Sequence, residues 1–450
     1  MPINGHVVPI RAIAGNLVER GYDVTMVTGS SFRAKIEELG ISFEPITGYG
    51  DVIEEEFDTR FAERRNYDGV ARIIYDMEHI FVKSMPSQHE AIQKVLEEKN
   101  KQDPDRSRVV VYDWMFLGVV PSLCSAPGIR PTGAVAIGTS IFALPGPGIF
   151  PIGTGIIADY SEEGKLKAEE MNQFASAALE RPTSVFYNLL KELGATPNAE
   201  SMLEEPIVST DRYIHTCMPE VEYPRSNMPA HVVFCGGLPK QEVPKTFKWP
   251  SWWDEITTNP NKATIVMVSQ STLANDLHDI AGPTLQGLKD RPNTIVILNL
   301  STPDQVVPED IDIPANTRVG YVLFDDILPY CNAWVLNFGY GAFQHGITNA
   351  VPMVGSGHTE DRADVAARAE WTGIAVNLRN GLTPPIPEVV KDAVEEVLTN
   401  PKYKKRVTEL SMKAKDYDVY GIIVKVIDTL GTGTYEKLND TTAANYRARW

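Results

Sequence analysis

Gly5-His6-Val7-Val8-Pro9-Ile10-Arg11-Ala12-Ile13-Ala14 is followed, past Gly21, by Val24-Thr25-Met26-Val27-Thr28. The first run sets Ile10, Ile13, Ala14 and Leu17 at helical spacing. Gly21 suits the end of that helix, and the second run reads as a buried strand. A helix feeding a buried strand is the unit of an α/β fold with parallel sheets. Only Met1 to Asn4 stand before the helix, so the strand that should deliver it is cut short. The reading expects an apolar run of about five or six residues upstream of Met1, a usual strand length, to complete it.

The same alternation continues outward. Phe32 to Leu39 is helical, Ile41-Ser42-Phe43 a short strand, and Gly69 to Lys99 a charged helical region. Val109-Val110-Val111-Tyr112-Asp113 is a strand that ends on an acid. Strands over Thr264–Val268, Thr294–Leu298, Arg318–Val322 and Ala333–Leu336 restart the rhythm in the second half. Helices are expected at Ile280–Leu288 and around Val389, Ala393, Val394 and Val397. The Pro- and Gly-bearing stretch from Glu220 to Pro250, with Cys235-Gly236-Gly237, marks a boundary. The expected division is 1–235, 236–431 and a loose tail over 432–450.

The 450 residues carry a formal charge of −17, which argues against a nucleic-acid or anionic-membrane surface. The four cysteines are scattered, with no metal-type spacing, and suit a reducing cytosol. The first residues lack the basic and apolar regions of a signal peptide. The uncharged stretch from Pro131 to Ala158 is long enough for a membrane span, but its prolines and glycines break any helix there. It reads as buried loop and pocket lining, and no stable span is expected.

Four groups of residues carry chemistry. In an open α/β sheet, ligands bind beyond the carboxyl ends of the strands, where the chain turns into a helix. His6 occupies such a turn, and Gly5 permits close backbone approach. A lone histidine is more often a cap or a surface group. Asp113 belongs at the same sheet edge, where a carboxylate could orient an imidazole base; as a helix N-cap before Met115-Phe116-Leu117 it fits equally well. Leu336-Asn337-Phe338-Gly339-Tyr340-Gly341-Ala342 is a strand, a glycine-bearing turn and a helix start, which favours an anion. It fits an ordinary tight turn as well. Glu360-Asp361 beyond Val351-Pro352-Met353-Val354 suits either sugar hydroxyls or a helix dipole. The aromatic run Trp249-Pro250-Ser251-Trp252-Trp253 is expected to pack an interdomain corner rather than a ligand.

With these pieces in order, the chain resembles a family-one, UDP-dependent glycosyltransferase of the GT-B fold, closest to the fungal and yeast branch with sterol and glycolipid glucosyltransferase-like enzymes. The resemblance runs from Gly5 to about Leu410. It implies two facing Rossmann-like domains, acceptor in the first and nucleotide-sugar donor in the second. It further implies His6 as the acceptor-deprotonating base and Asp113 as its charge-balancing partner. On the donor side it implies Ser271 and Thr272 in the loop after the first strand, Tyr321 stacked on uracil, and Asn337, Gly339, Gly341 and Ala342 around the diphosphate. Asp361 would hold the sugar hydroxyls, with Arg362 where the family usually has Gln or Lys.

Two substitutions depart from the pattern: Phe338 replaces a glycine of the phosphate turn and Ser271 replaces another. If that glycine serves a positive φ, Phe338 is strained; if it permits close approach to the diphosphate, Phe338 narrows the donor site.

The resemblance implies inverting transfer of a hexose, glucose foremost, from a UDP-sugar to a hydroxyl of an apolar small molecule or lipid. No metal or other cofactor is expected, in line with the absence of an Asp-x-Asp motif near a donor strand. Trp114, Met115 and Phe116 are expected as acceptor-pocket walls. An impaired homologue that binds a metabolite without transfer is the alternative. A nicotinamide-dependent oxidoreductase is disfavoured because no Gly-x-Gly-x-x-Gly follows a strand.

Overall fold

The computed structural model describes residues 3–433, except 54, 55, 245, 272, 273, 380 and 382. Twelve strands lie in three parallel sheets among the described residues. β1 (Thr25–Thr28) pairs with β2 (Ser42–Pro45). β3 (Val109–Asp113), β4 (Gly133–Gly138), β5 (Arg212–His215) and β6 (Val232–Phe234) form a second sheet in that order. The third sheet has six strands. These are β7 (Thr264–Ser269), β8 (Thr294–Asn299), β9 (Thr317–Gly320), β10 (Ala333–Leu336), β11 (Met353–Gly355) and β12 (Ala375–Asn377). Their spatial order, β12-β11-β10-β7-β8-β9, puts β7 and β10 at the centre. The α/β reading therefore holds, as two Rossmann-like domains with parallel sheets.

The first domain opens on a helix. Ile3 is the N-cap of a helix over Asn4–Glu19, and that helix packs against both β1 and β3. No described strand joins β1 to β3, so the two-stranded and four-stranded sheets stand apart. The hydroxyls of Thr25 and Thr28 are buried without a hydrogen-bond partner.

β4 corrects the reading of Pro131–Ala158 as loop. All six residues of Gly133-Ala134-Val135-Ala136-Ile137-Gly138 are buried, as expected of a central parallel strand covered on both faces. Ala134 and Ala136 join the core shared with the second domain, while Val135 and Ile137 point the other way. That second face is covered by the helix Val419–Gly431, through Val419, Ile423, Val426, Ile427 and Leu430. A side chain at Gly133 would meet Leu430 at 2.6 Å, so this glycine allows the helix to sit down. The last described helix thus follows the second domain in sequence and packs on the first. Residues 434–450 of the expected tail lie outside the described residues.

No helix among the described residues is long and apolar enough to cross a membrane. All four cysteines are free and buried.

Candidate active site

His6 sits in the first turn of the helix Asn4–Glu19, and Asp113 is the last residue of β3. Their side chains meet, His6 Nδ1 to Asp113 Oδ1, at 2.9 Å. Asp113 is 2% exposed and also accepts the Met115 backbone N–H at 3.0 Å and the Thr139 hydroxyl. Capping and orienting are therefore both true of this carboxylate. Burial pushes its pKa up, but the neighbouring His6 and the Thr139 hydroxyl more than offset that and hold it below the usual carboxylate range. An ionised carboxylate only accepts, so His6 donates from Nδ1 and leaves Nε2 on the side away from Asp113. The ring edge rests on Phe81, centroids 5.7 Å apart, and the side chain keeps 21% exposure. Asp113 thus orients His6, which stays partly exposed.

The residues expected on the donor side, Tyr321 excepted, gather at the carboxyl ends of β7, β10 and β11. After β10, Phe338 takes φ 52° and Gly339 caps the helix Tyr340–Thr348. The turn after β10 thus holds this position at a positive φ, the first of the two expectations for Phe338. The Phe338 ring is fully buried in the core and does not narrow the turn. At Gly339 and Gly341 a Cβ would meet nothing within 4 Å, so the turn is open above the helix start. Ala342 is half-buried beside them. Asn337 Nδ2 donates to the Ala274 carbonyl at 2.9 Å, and the Ala274 N–H donates to Ser271 Oγ at 3.2 Å. Thr272 lies outside the described residues.

Arg362, 6% exposed, ties these pieces together. Its guanidinium donates to Ser271 Oγ at 2.8 Å and to Thr359 Oγ1, and pairs with Glu360 Oε2 at 2.7 Å. Asn337, Arg362, Ser356 and His358 line one narrow cleft of about 20 Å³. Tyr321, just past β9, is half-buried with Phe247 6.0 Å from its ring. The tryptophan run continues that cluster, Trp249 stacked on Trp253 at 4.1 Å.

Asp361 faces across from the second domain to the first. It hydrogen-bonds with Ser140, just past β4, and is near enough to His6 to feel its charge. Burial and the adjacent Glu360 raise its pKa. So His6, Asp113 and Asp361, from a helix start, a strand end and a helix cap, are brought near one another. No motif in the sequence marks Thr139 and Ser140, because β4 reads as loop. The alternation of alanine with Val135 and Ile137, bounded by glycines, was the available signal. Trp114, Met115 and Phe116 are buried, 2%, 2% and 5% exposed, and sit in the core.

Residues 168–423 match the family model described as "UDP-glucoronosyl and UDP-glucosyl transferase". The chain belongs to this family. Two similar proteins illustrate the kinship. UDP-glycosyltransferase 2 of Phaeomoniella chlamydospora is 33% identical over 446 residues, covering 98% of this chain and 96% of the relative. UDP-glucosyltransferase A1 of Starmerella bombicola is 30% identical over 439 residues, covering 96% and 91%. Among solved structures, the glycotransferase of kitacinnamycin superposes with a TM-score of 0.65 at 17% identity, covering 95% of this chain and 97% of its own. The calicheamicin glycosyltransferase CalG4 gives 0.61 at 17%, covering 95% and 96%. These neighbours establish the GT-B fold.

In this UDP-glycosyltransferase, no group of three or more His, Cys, Asp or Glu among the described residues is placed to hold a metal ion. The helix Tyr340–Thr348 has no side-chain cap at Gly339, and the first N–H groups of a helix have no partner within it.

Proposed function

We propose that this UDP-glycosyltransferase moves a glucosyl group from UDP-glucose to a hydroxyl of an apolar small molecule or lipid, with inversion at the anomeric carbon. The observation that carries the reading is the His6–Asp113 pair at 2.9 Å, set close to Asp361 of the other domain. The names of the relatives, UDP-glucosyltransferases among them, support the donor. His6 Nε2 takes the acceptor proton as that oxygen attacks, and Asp113 stabilises the imidazolium that forms. Asp361 accepts hydrogen bonds from sugar hydroxyls. Charge developing on the departing UDP meets the first N–H groups of the helix Tyr340–Thr348 and the Asn337 amide, a step that calls for no metal. Ser271, Arg362 and Tyr321 frame the nucleotide, and the narrow cleft at Asn337 and Arg362 widens to admit it.

Three measurements test this. Calorimetry with UDP and UDP-glucose should show binding, and His6→Ala should keep it. The same variant should lose transfer by about 10²–10⁴-fold, the usual contribution of a general base. A β-linked product from the α-linked donor, read by NMR, marks inversion. Full transfer rate in His6→Ala removes the base assignment. UDP binding without transfer identifies an impaired homologue, and no UDP binding at all sinks the donor reading.

A further inference from the structure

Three residues on one face of the helix Arg362–Trp371 and its cap turn toward the first domain. They are Asp361, Asp364 and Arg368, at spacings of three and four. Asp364 is 4% exposed and accepts two backbone N–H groups from the first domain, Gly153 at 2.6 Å and Gly155 at 3.2 Å. Both glycines have positive φ, 88° and 60°, which aims their N–H groups at one point. A side chain at Gly155 would stand 2.9 Å from Ala363 Cβ and 3.0 Å from its carbonyl oxygen, so loop backbone lies directly on the helix.

One turn on, Arg368 donates to Glu222 Oε1 at 2.9 and 2.7 Å. Glu222 Oε2 accepts the Phe142 N–H at 3.1 Å. The loop that leaves β4 is therefore tied at both ends to a single helix of the donor domain. The prolines Pro145, Pro147 and Pro151 stiffen the span between the ties. The same helix carries Asp361 at its cap, against Ser140 and close to His6.

We infer that Asp364 is a positioning residue that latches the loop 151–155 over the reaction centre, so that the acceptor site is complete only when the two domains are docked. The inference rests on the proposed glycosyl transfer for its kinetic consequence and on geometry for the latch. The groups facing Asp364 are Arg368 and Asp361 on its own helix, Tyr223 from the first domain, and the two glycine amides. Arg368 is already committed to Glu222, and burial raises the Asp364 carboxyl to about 6. Above that value the ionised carboxylate accepts both amides. Below it the protonated acid loses its hold.

Amide hydrogen exchange over residues 151–157, followed by mass spectrometry at pH 7.5, tests the latch directly. Asp364→Asn, and Gly155→Ala from the loop side, should each speed exchange there by roughly tenfold, the loss of one charge-assisted hydrogen bond. With UDP-glucose as donor and 4-nitrophenol as probe acceptor, the acceptor KM should rise by a similar factor while UDP affinity stays within about twofold. Lowering the wild-type pH from 7.5 to 5.5 should raise the acceptor KM, and Asp364→Asn should flatten that dependence. Unchanged exchange at 151–157 overturns the latch. So does a loss of UDP affinity in step with the KM, which marks a merely structural role. If the wild type transfers no glucose, the transfer reading fails and the exchange result still decides the latch.

Discussion

Phe338 holds two opposed energies at one position. A positive φ costs a residue with a Cβ about 1–2 kcal/mol, and Phe338 sits at 52°. Its ring is among the largest fully buried side chains, and deleting such a ring costs about 3–5 kcal/mol. Burial wins. Phe338→Gly relieves the strain and loses the ring, so it should destabilise by about 1–3 kcal/mol. Phe338→Ala loses the ring and keeps the strain, so it should destabilise more, by about 3–5 kcal/mol. Denaturant unfolding orders the three chains, and a glycine variant more stable than the wild type would show that strain dominates. The sequence announced the conflict at Phe338 but not its outcome, because the direction of the ring depends on packing from other elements. His6 and Asp113 were easier, since each ends or begins an element whose type could be read. Thr139 was hidden with its strand.

At the scale of the element, the helix Arg362–Trp371 works through a face whose partners lie more than 100 residues away. The sequence showed an acid pair at its start; it could not show that Asp364 meets loop amides, because backbone N–H groups leave no mark in composition. The raised carboxyl has a consequence for stability as well as for the loop. An acid whose folded pKa stands above its ordinary value stabilises the fold fully below that ordinary value, near 4. The contribution is lost as pH rises through the folded value, about 6. The difference corresponds to about 2–3 kcal/mol for this buried group. Asp364→Asn does not titrate, so between pH 4 and pH 7 the wild type should lose about that much stability relative to the variant. Unfolding free energies at the two pH values measure it, and parallel curves would place the Asp364 carboxyl at its ordinary value. Function at neutral pH therefore keeps a charge that stability alone would remove.

At the scale of the whole molecule, the rhythm of strands and helices made two α/β domains legible. What it could not give is the destination of the helix Val419–Gly431. Periodicity tells that a helix has an apolar face, never which surface covers it. Chain order places this helix with the second domain, while its buried residues Ile423, Val426 and Leu430 lie on Val135, Ile137, Ile214 and Val233 of the first. Two polar ties agree, Tyr22 to Asp428 at 2.5 Å and Ser107 to the Gly431 carbonyl at 2.5 Å. Five buried apolar side chains at about 1.5–3 kcal/mol each come to about 8–15 kcal/mol, comparable with the whole stability of a domain. The first domain, whose strands are split between two sheets, therefore depends on the far end of the chain. Ile423→Ala, at 1% exposure, should cost about 2–5 kcal/mol. Native-state hydrogen exchange should then show protection falling in β3 to β6 while β7 and β8 keep theirs. Protection lost first in the third sheet, β7 to β12, would mean that the helix supports its neighbours in sequence instead.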